Sequence, residues 1–344
     1  MFESNLAKFY LGVLLLLASS GMDGAYLDST ISNGTSHPMR ASCSALALNS
    51  SHDHIDRYGQ FASGCCISEQ YDFAYMRAAA KMAGTTVQKS YLLPSFCDVL
   101  FNSHGHGHGQ QLFGGATIPT GCESYLQHHG FLDCTCNTTI QRLSTIGSTF
   151  INVRNPFARF ISIYKYVLEN WSFRHKNQKY VGISKFLELF SGPKRFTVDI
   201  FFDHEAGSGH WYSQMLHVFS ICKYLPNTAL IPLEPDVLQN LAPVVQSINS
   251  RRNPELPAMM DPQKYSSRNR MSYACPWQCY YELCQKPCFD FVSKQYDLDI
   301  MALDSIGIYP APHTVADLWL DSQDLNASWL TIPNRTRACL QVCQ

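Results

Sequence analysis

Thr149-Phe150-Ile151-Asn152-Val153-Arg154-Asn155-Pro156-Phe157-Ala158-Arg159-Phe160-Ile161-Ser162-Ile163-Tyr164 reads as a strand, a turn and a helix. The β-branched and aromatic side chains of residues 149–153 mark a buried strand. Pro156 suits the first helical position, and Phe157, Phe160, Ile161 and Tyr164 then recur at helical spacing. Arg154 falls at the carboxyl end of the strand, where open α/β sheets hold their ligands. Ser162 follows eight residues later, about two helical turns, so its hydroxyl can return towards the same side.

Similar units flank this one. Upstream, Asp72 to Met76 is a short apolar and aromatic run with strand character. It leads into small residues, Ala78 to Thr86, and a helix through Leu93 that Pro94 stops. Downstream, Ala229 to Leu233 predicts a strand and Asp236 to Ile248 a helix. Strands alternating with helices predict an α/β fold, a three-layer sandwich whose central, mainly parallel sheet is covered on both faces.

The chain has 344 residues, 46% apolar and 15% charged, enough for a packed core and against disorder. Its 26 Lys+Arg nearly balance 27 Asp+Glu, which excludes a bulk basic surface and nucleic acid as a partner while leaving room for a local anion pocket. Fourteen cysteines are many for a cytosolic protein. The apolar run Phe9 to Ala18, followed by Ser19, Ser20 and Gly21, is ordered like a signal peptide. The 14 uncharged residues from Phe9 to Met22 would reach about 21 Å as a helix, short of a bilayer core. Residues 1–22 therefore read as a signal peptide or a short signal anchor, the latter giving membrane attachment. Six N-x-S/T sequons, at Asn33, Asn49, Asn137, Asn170, Asn326 and Asn334, agree with a secretory route. The cysteine-rich stretch 275–288, with Cys275, Cys279, Cys284 and Cys288, lacks the pair-and-gap spacing of zinc sites and reads as disulfides. Residues 23–68 read as a flexible lumenal stem with regular structure from about Glu69, residues 69–311 as the main domain, and 312–344 as a tail tied by Cys339 and Cys343.

Two turns have the chemistry of anion sites. Lys81-Met82-Ala83-Gly84-Thr85-Thr86 lies between a predicted strand and helix, where free backbone N–H groups face an anion. Gly84 permits close approach, the threonines add donors and Lys81 adds a mobile charge. The G-x4-G-K-S/T order of a nucleotide triphosphatase is absent, which disfavours a kinase. Arg154 with Ser162 suits a phosphate, which a guanidinium can grip through two parallel bonds. Arg159 reads equally as a second anion ligand or as a solvated or stem-packed helix arginine.

Together these segments resemble the cofactor signature of the Golgi carbohydrate sulfotransferases. In that family a K-x-x-G-T-S/T loop holds the 5′-phosphosulfate of 3′-phosphoadenosine-5′-phosphosulfate (PAPS), and an R-x-P-x-x-R-x-x-S-x-Y segment holds its 3′-phosphate. Lys81, Gly84, Thr85 and Thr86 match the first, with Ala83 inside the loop; Arg154, Pro156, Arg159, Ser162 and Tyr164 match the second. His210-Trp211-Tyr212-Ser213-Gln214 is similar to the family's H-W-x-P-Q, with Ser213 in place of proline. Leu233 to Leu238 resembles its strand–Glu–helix segment, and Tyr296-Asp297-Leu298-Asp299 to Tyr309 its closing segment. The resemblance spans about 70 to 309 and implies a P-loop-like fold and sulfuryl transfer from PAPS to a glycan hydroxyl, with no metal required. Lys81 would neutralise charge on the leaving phosphate, and a histidine would act as general base. His129, one member of the pair His128-His129, is preferred to His106 within His104-Gly105-His106-Gly107-His108, and a group in neither run also remains open. His210 and Trp211 would line the acceptor site or pack at a helix start. A protein-tyrosine or small-molecule sulfotransferase, and a non-enzymatic secreted cysteine-rich binding protein, are the competing readings.

Overall fold

The computed structural model describes residues 41–46, 64–76, 87, 99–102, 141, 143–174, 182–191, 213–234, 236–262, 275–320, 329 and 331–343. Five strands form one sheet: β1 (Gly64–Ser68), β2 (Phe73–Met76), β3 (Val99–Asn102), β4 (Ser148–Val153) and β5 (Ala229–Pro232), in the order β3-β1-β2-β4-β5. The described helices are α1 (Pro156–Arg174), α2 (Gly182–Ser191), α3 (Gln214–Cys222), α4 (Val237–Arg251), α5 (Gln278–Cys284), α6 (Lys286–Gln295), α7 (Asp297–Ser305), α8 (Asp317–Leu320) and α9 (Arg335–Cys343).

Parallel pairing joins β2 to β4 and β4 to β5, as the alternating pattern predicts. β1 is antiparallel to both β2 and β3, so it alone runs against the other four strands and the sheet is mixed. The cause is local: only Glu69 to Asp72 separates β1 from β2, and so short a connection permits only a hairpin. Asp72 turns the corner in the left-handed region, with φ 54°. Its carbonyl accepts from the Ser148 N–H at 3.1 Å and its Oδ1 from the Gly147 N–H at 2.7 Å, which fixes the start of β4 beside β2. A side chain at Gly147 would collide with that carboxylate.

The pleat divides the core. Phe73, Tyr75, Phe150 and Ile231 pack with Val237, Leu238, Leu241, Val244, Val245 and Ile248 of α4. Ala74, Met76, Ile151, Val153 and Leu230 pack on the opposite face with Met215, Val218, Phe219 and Ile221 of α3. Helices thus cover both faces. Each fully buried Phe, Val or Leu contributes roughly 1.5–3 kcal/mol. Asp236 starts α4 by accepting from the Leu238 N–H at 2.9 Å, one residue before the apolar stripe begins. A third cluster, rich in rings, joins α1 to α2, α5 and α6 through Phe157, Phe160, Tyr164, Phe186, Phe190, Tyr281 and Phe289.

Two boundaries of the sequence reading require correction. β1 lies inside residues 23–68, the presumed stem, so regular structure begins before Glu69. Cys43, in a short 3-10 helix, is bonded to Cys222 at the end of α3. Its neighbour Ala41 accepts from the Leu230 N–H at 2.9 Å, and the Cys43 N–H donates to Thr228 O at 2.9 Å, so residues 41–43 line the outer edge of β5. The C-terminal segment is tied as expected, by Cys275–Cys343 and Cys279–Cys339, with Cα separations of 4.8 and 5.2 Å. Leu318, Trp319 and Cys339 within it are buried, so it is part of the fold as well as a tail. Cys284 pairs with Cys288, and no described cysteine is free.

Candidate functional site

β4 and β5 end level, Val153 opposite Pro232, and the Leu233 N–H extends the pairing to Val153 O at 2.8 Å. Parallel strands in register therefore bring Arg154, one residue past β4, and Glu234, two residues past β5, to the same carboxyl edge of the sheet, where their side chains meet. Arg154 donates from Nε to Glu234 Oε1 at 3.0 Å, and the two side chains are 19% and 15% exposed. Glu234 Oε2 accepts from the Asn155 N–H at 3.2 Å and from the Tyr309 hydroxyl at 2.6 Å. That hydroxyl in turn accepts from the Glu234 N–H at 3.2 Å. Burial and the neighbouring Glu234 charge push the Tyr309 phenol well above its ordinary pKa, so it stays a donor.

Gln214 holds the Arg154 backbone from the other side. Its Oε1 accepts from the Arg154 N–H at 2.9 Å, and its Nε2 donates to Arg154 O at 2.6 Å. Asn155 caps α1, its Oδ1 accepting from Phe157 N–H at 2.9 Å and Ala158 N–H at 3.3 Å. Arg154 is thus fixed in backbone and in side chain at the start of α1.

A second, wholly buried pair lies below. Arg159 Nη1 stands 3.9 Å from Asp299 Oδ2, and neither side chain is exposed. Asp299 also accepts from the Ser213 hydroxyl, from the Gln214 N–H at 3.2 Å and from the Met215 N–H at 3.0 Å, so it occupies the amino end of α3. Burial pushes the Asp299 carboxyl up against the opposing pull of Arg159 and these donors. Burial likewise lowers Arg159, whose guanidinium lies 5.7 Å from the centre of the Tyr296 ring.

Of the residues expected at a cofactor site, Arg154 and Ser162 are described. Ser162 is half-buried, the one position from Pro156 to Lys165 in α1 that is not buried. Arg159 is not solvated: it is sealed in the core against Asp299, with no exposed surface. Tyr164 is also core, edge-on to Phe186 at 4.9 Å. Lys81, Ala83, Gly84, Thr85, Thr86, His106, His129, His210 and Trp211 lie outside the described residues. β2 and β4 are parallel neighbours, so Met76 and Val153 end at the same edge of the sheet. Lys81 is five residues beyond Met76, a reach of at most roughly 18 Å.

Glu234, Gln214, Asp299 and Tyr309 belong to segments that the sequence reading noted without giving them a role. Nothing in the local pattern pairs them with Arg154 or Arg159, because the pairing arises only when distant strands and helices meet. The cap at Asn155 was readable, since Asn before Pro suits a helix start. The sulfurs of Cys275, Cys279 and Cys343 lie within 4.8 Å of one another, yet each is spent in a disulfide and offers no thiolate to a metal. Comparison of the chain with known protein families, with characterised proteins and with solved structures finds no match.

Proposed function

We propose that this chain is a PAPS-dependent sulfotransferase of the secretory pathway, built on a P-loop-like sandwich and acting on a glycan hydroxyl. One observation carries the reading: a partly exposed arginine, clamped by Glu234 and Gln214, stands at the carboxyl end of β4 in the parallel part of the sheet. It is the arginine that heads the 3′-phosphate motif. The loop that begins with Lys81 follows the adjacent parallel strand, so both halves of the signature leave from one edge. The described charges, Arg154 with Glu234 and Arg159 with Asp299, cancel. The net positive charge that a polyanionic nucleotide requires would therefore come from Lys81.

In the reaction, the acceptor oxygen forms a bond to sulfur as the bond from sulfur to the bridging phosphate oxygen breaks. The electron pair stays on the departing phosphate, where Lys81 and the Gly84-Thr85-Thr86 amides stabilise it. The acceptor proton passes to His129 or His106, with His210 and Trp211 against the sugar. Disulfides joining distant parts of the chain support an oxidising lumen, Golgi or extracellular.

Thermal unfolding with the product nucleotide PAP tests the cofactor. At 100 times its dissociation constant PAP should stabilise the wild type by about 2.7 kcal/mol. That shift should vanish in Lys81→Ala and in Arg154→Gln. No shift in the wild type overturns the proposal. Incorporation of labelled sulfate from PAPS into a panel of glycans, tyrosine peptides and small phenols then assigns the acceptor. A second reading, a non-enzymatic disulfide-rich secreted protein, is favoured by one fact: both arginines of the motif already have carboxylate partners. It predicts no response to PAP.

A further inference from the structure

Asn334-Arg335-Thr336 is the one sequon whose three side chains are all described, and the fold holds each of them. Asn334 is exposed and starts α9, its Oδ1 accepting from the Arg337 N–H at 3.0 Å. This cap engages the oxygen of the side-chain amide and leaves the chemistry of Nδ2 intact. Arg335 lies over the Trp319 ring, 5.4 Å from its centre. The Thr336 hydroxyl donates to Glu282 Oε1 on α5 at 2.8 Å.

From this geometry we infer that Asn334 is an N-glycosylation site whose use is decided by a race against the closing of α9. The inference rests on the secretory reading above, but not on the sulfotransferase one. The sequon requires the asparagine and the hydroxyl two residues on to be engaged together. In an extended chain residues i and i+2 share a face, whereas here Asn334 caps α9 through the Arg337 N–H and Thr336, inside the first turn, is held by Glu282 of α5. Once α9 forms, the acceptor is present but cannot be gripped. Two disulfides, Cys275–Cys343 and Cys279–Cys339, lock α9 against α5 and make the loss lasting. In the transfer, Nδ2 bonds to C1 of the reducing-end sugar of a lipid-diphosphate-linked oligosaccharide. The bond from C1 to the diphosphate breaks, the lipid diphosphate leaves with the electron pair, and Nδ2 gives up one proton. The finished glycan is tolerated because Oδ1 still caps the helix and the site faces solvent.

The test expresses the full chain in a secretory host and measures occupancy at each sequon by enzymatic deglycosylation in heavy-oxygen water and peptide mass spectrometry. Cell-retained and secreted protein are pooled, so a variant that fails to fold still reports. Asn334 should be partly occupied in the wild type. It should gain roughly twofold or more when Cys275, Cys279, Cys339 and Cys343 are all changed to Ser, since disulfide closure takes seconds to hours and competes with transfer. An empty Asn334 in both proteins beside occupied Asn33 or Asn137 overturns the site. Equal occupancy in both proteins overturns the race. Six empty sequons overturn the compartment on which both depend.

Discussion

The Arg159–Asp299 pair permits an asymmetric prediction. The charges stand 3.9 Å apart with neither side chain exposed, an attraction of about 4 kcal/mol at an effective dielectric constant near 20. Asp299→Asn removes the counter-charge from an arginine that cannot give up its proton, and should cost about 3–5 kcal/mol. Arg159→Met also breaks the pair, but the carboxyl it strands keeps the Ser213 hydroxyl and two backbone donors and can take up a proton. Its cost should be smaller, about 1–3 kcal/mol, and dependent on pH. Burial already raises the Asp299 pKa, and without Arg159 it should rise further. A raised carboxyl stabilises fully below its unfolded pKa and loses that contribution as pH climbs through the folded value. Arg159→Met should therefore be closest to wild type in mild acid and fall behind towards neutrality. The double variant should cost well under the sum of the singles. Urea unfolding with disulfides intact, at pH 5 and pH 7.5, measures all four proteins. Equal single costs that do not change with pH, or strict additivity, would refute the reasoning.

Three other outcomes follow from the same contacts. Tyr309→Phe deprives Glu234 of a donor and its part-buried backbone N–H of an acceptor, so it should cost about 1–3 kcal/mol in unfolding experiments and weaken PAP binding in parallel. Gly147→Ala should destabilise by roughly 1–3 kcal/mol through its clash with the Asp72 carboxylate, and Asp72→Gly, which also relieves a positive φ, should restore most of the loss in the same assay. Cys275–Cys343 and Cys279–Cys339 enclose 68 and 60 residues of chain, but they are nested. Replacing the outer pair by serine should then cost only about 2–3 kcal/mol, and replacing both about 7, on the chain-entropy account, read as successive drops in melting temperature.

The strand–turn–helix at β4 and α1 was legible because its signals are local: a run of buried side chains, a proline at the first helical turn and apolar residues at helical spacing. β5 and α4 were legible for the same reason, down to Asp236 at the helix start. β1 was not. Gly64-Cys65-Cys66-Ile67-Ser68 is short, adjoins polar sequence, and its hairpin turns on Asp72 rather than on a glycine. Arg154 was legible as a strand-end residue, since position after a buried strand is itself a local signal. The fate of Arg159 was not, because a helix arginine that faces the core against Asp299 looks in sequence like one that faces solvent. Disulfide connectivity has no local signal at all, and the link from Cys43 to Cys222 had none beyond an even cysteine count.

That link bears on how the protein can be cut. A fragment beginning at Glu69, where the main domain was first drawn, would lack both the segment along β5 and the strand beside β2. The unguarded rim of β5 would offer unpaired amide and carbonyl groups to a second molecule, and Cys222 would carry a reactive thiol next to it. Such a fragment should form disulfide-linked aggregates, whereas one that retains Ala41 to Leu46 should stay monodisperse.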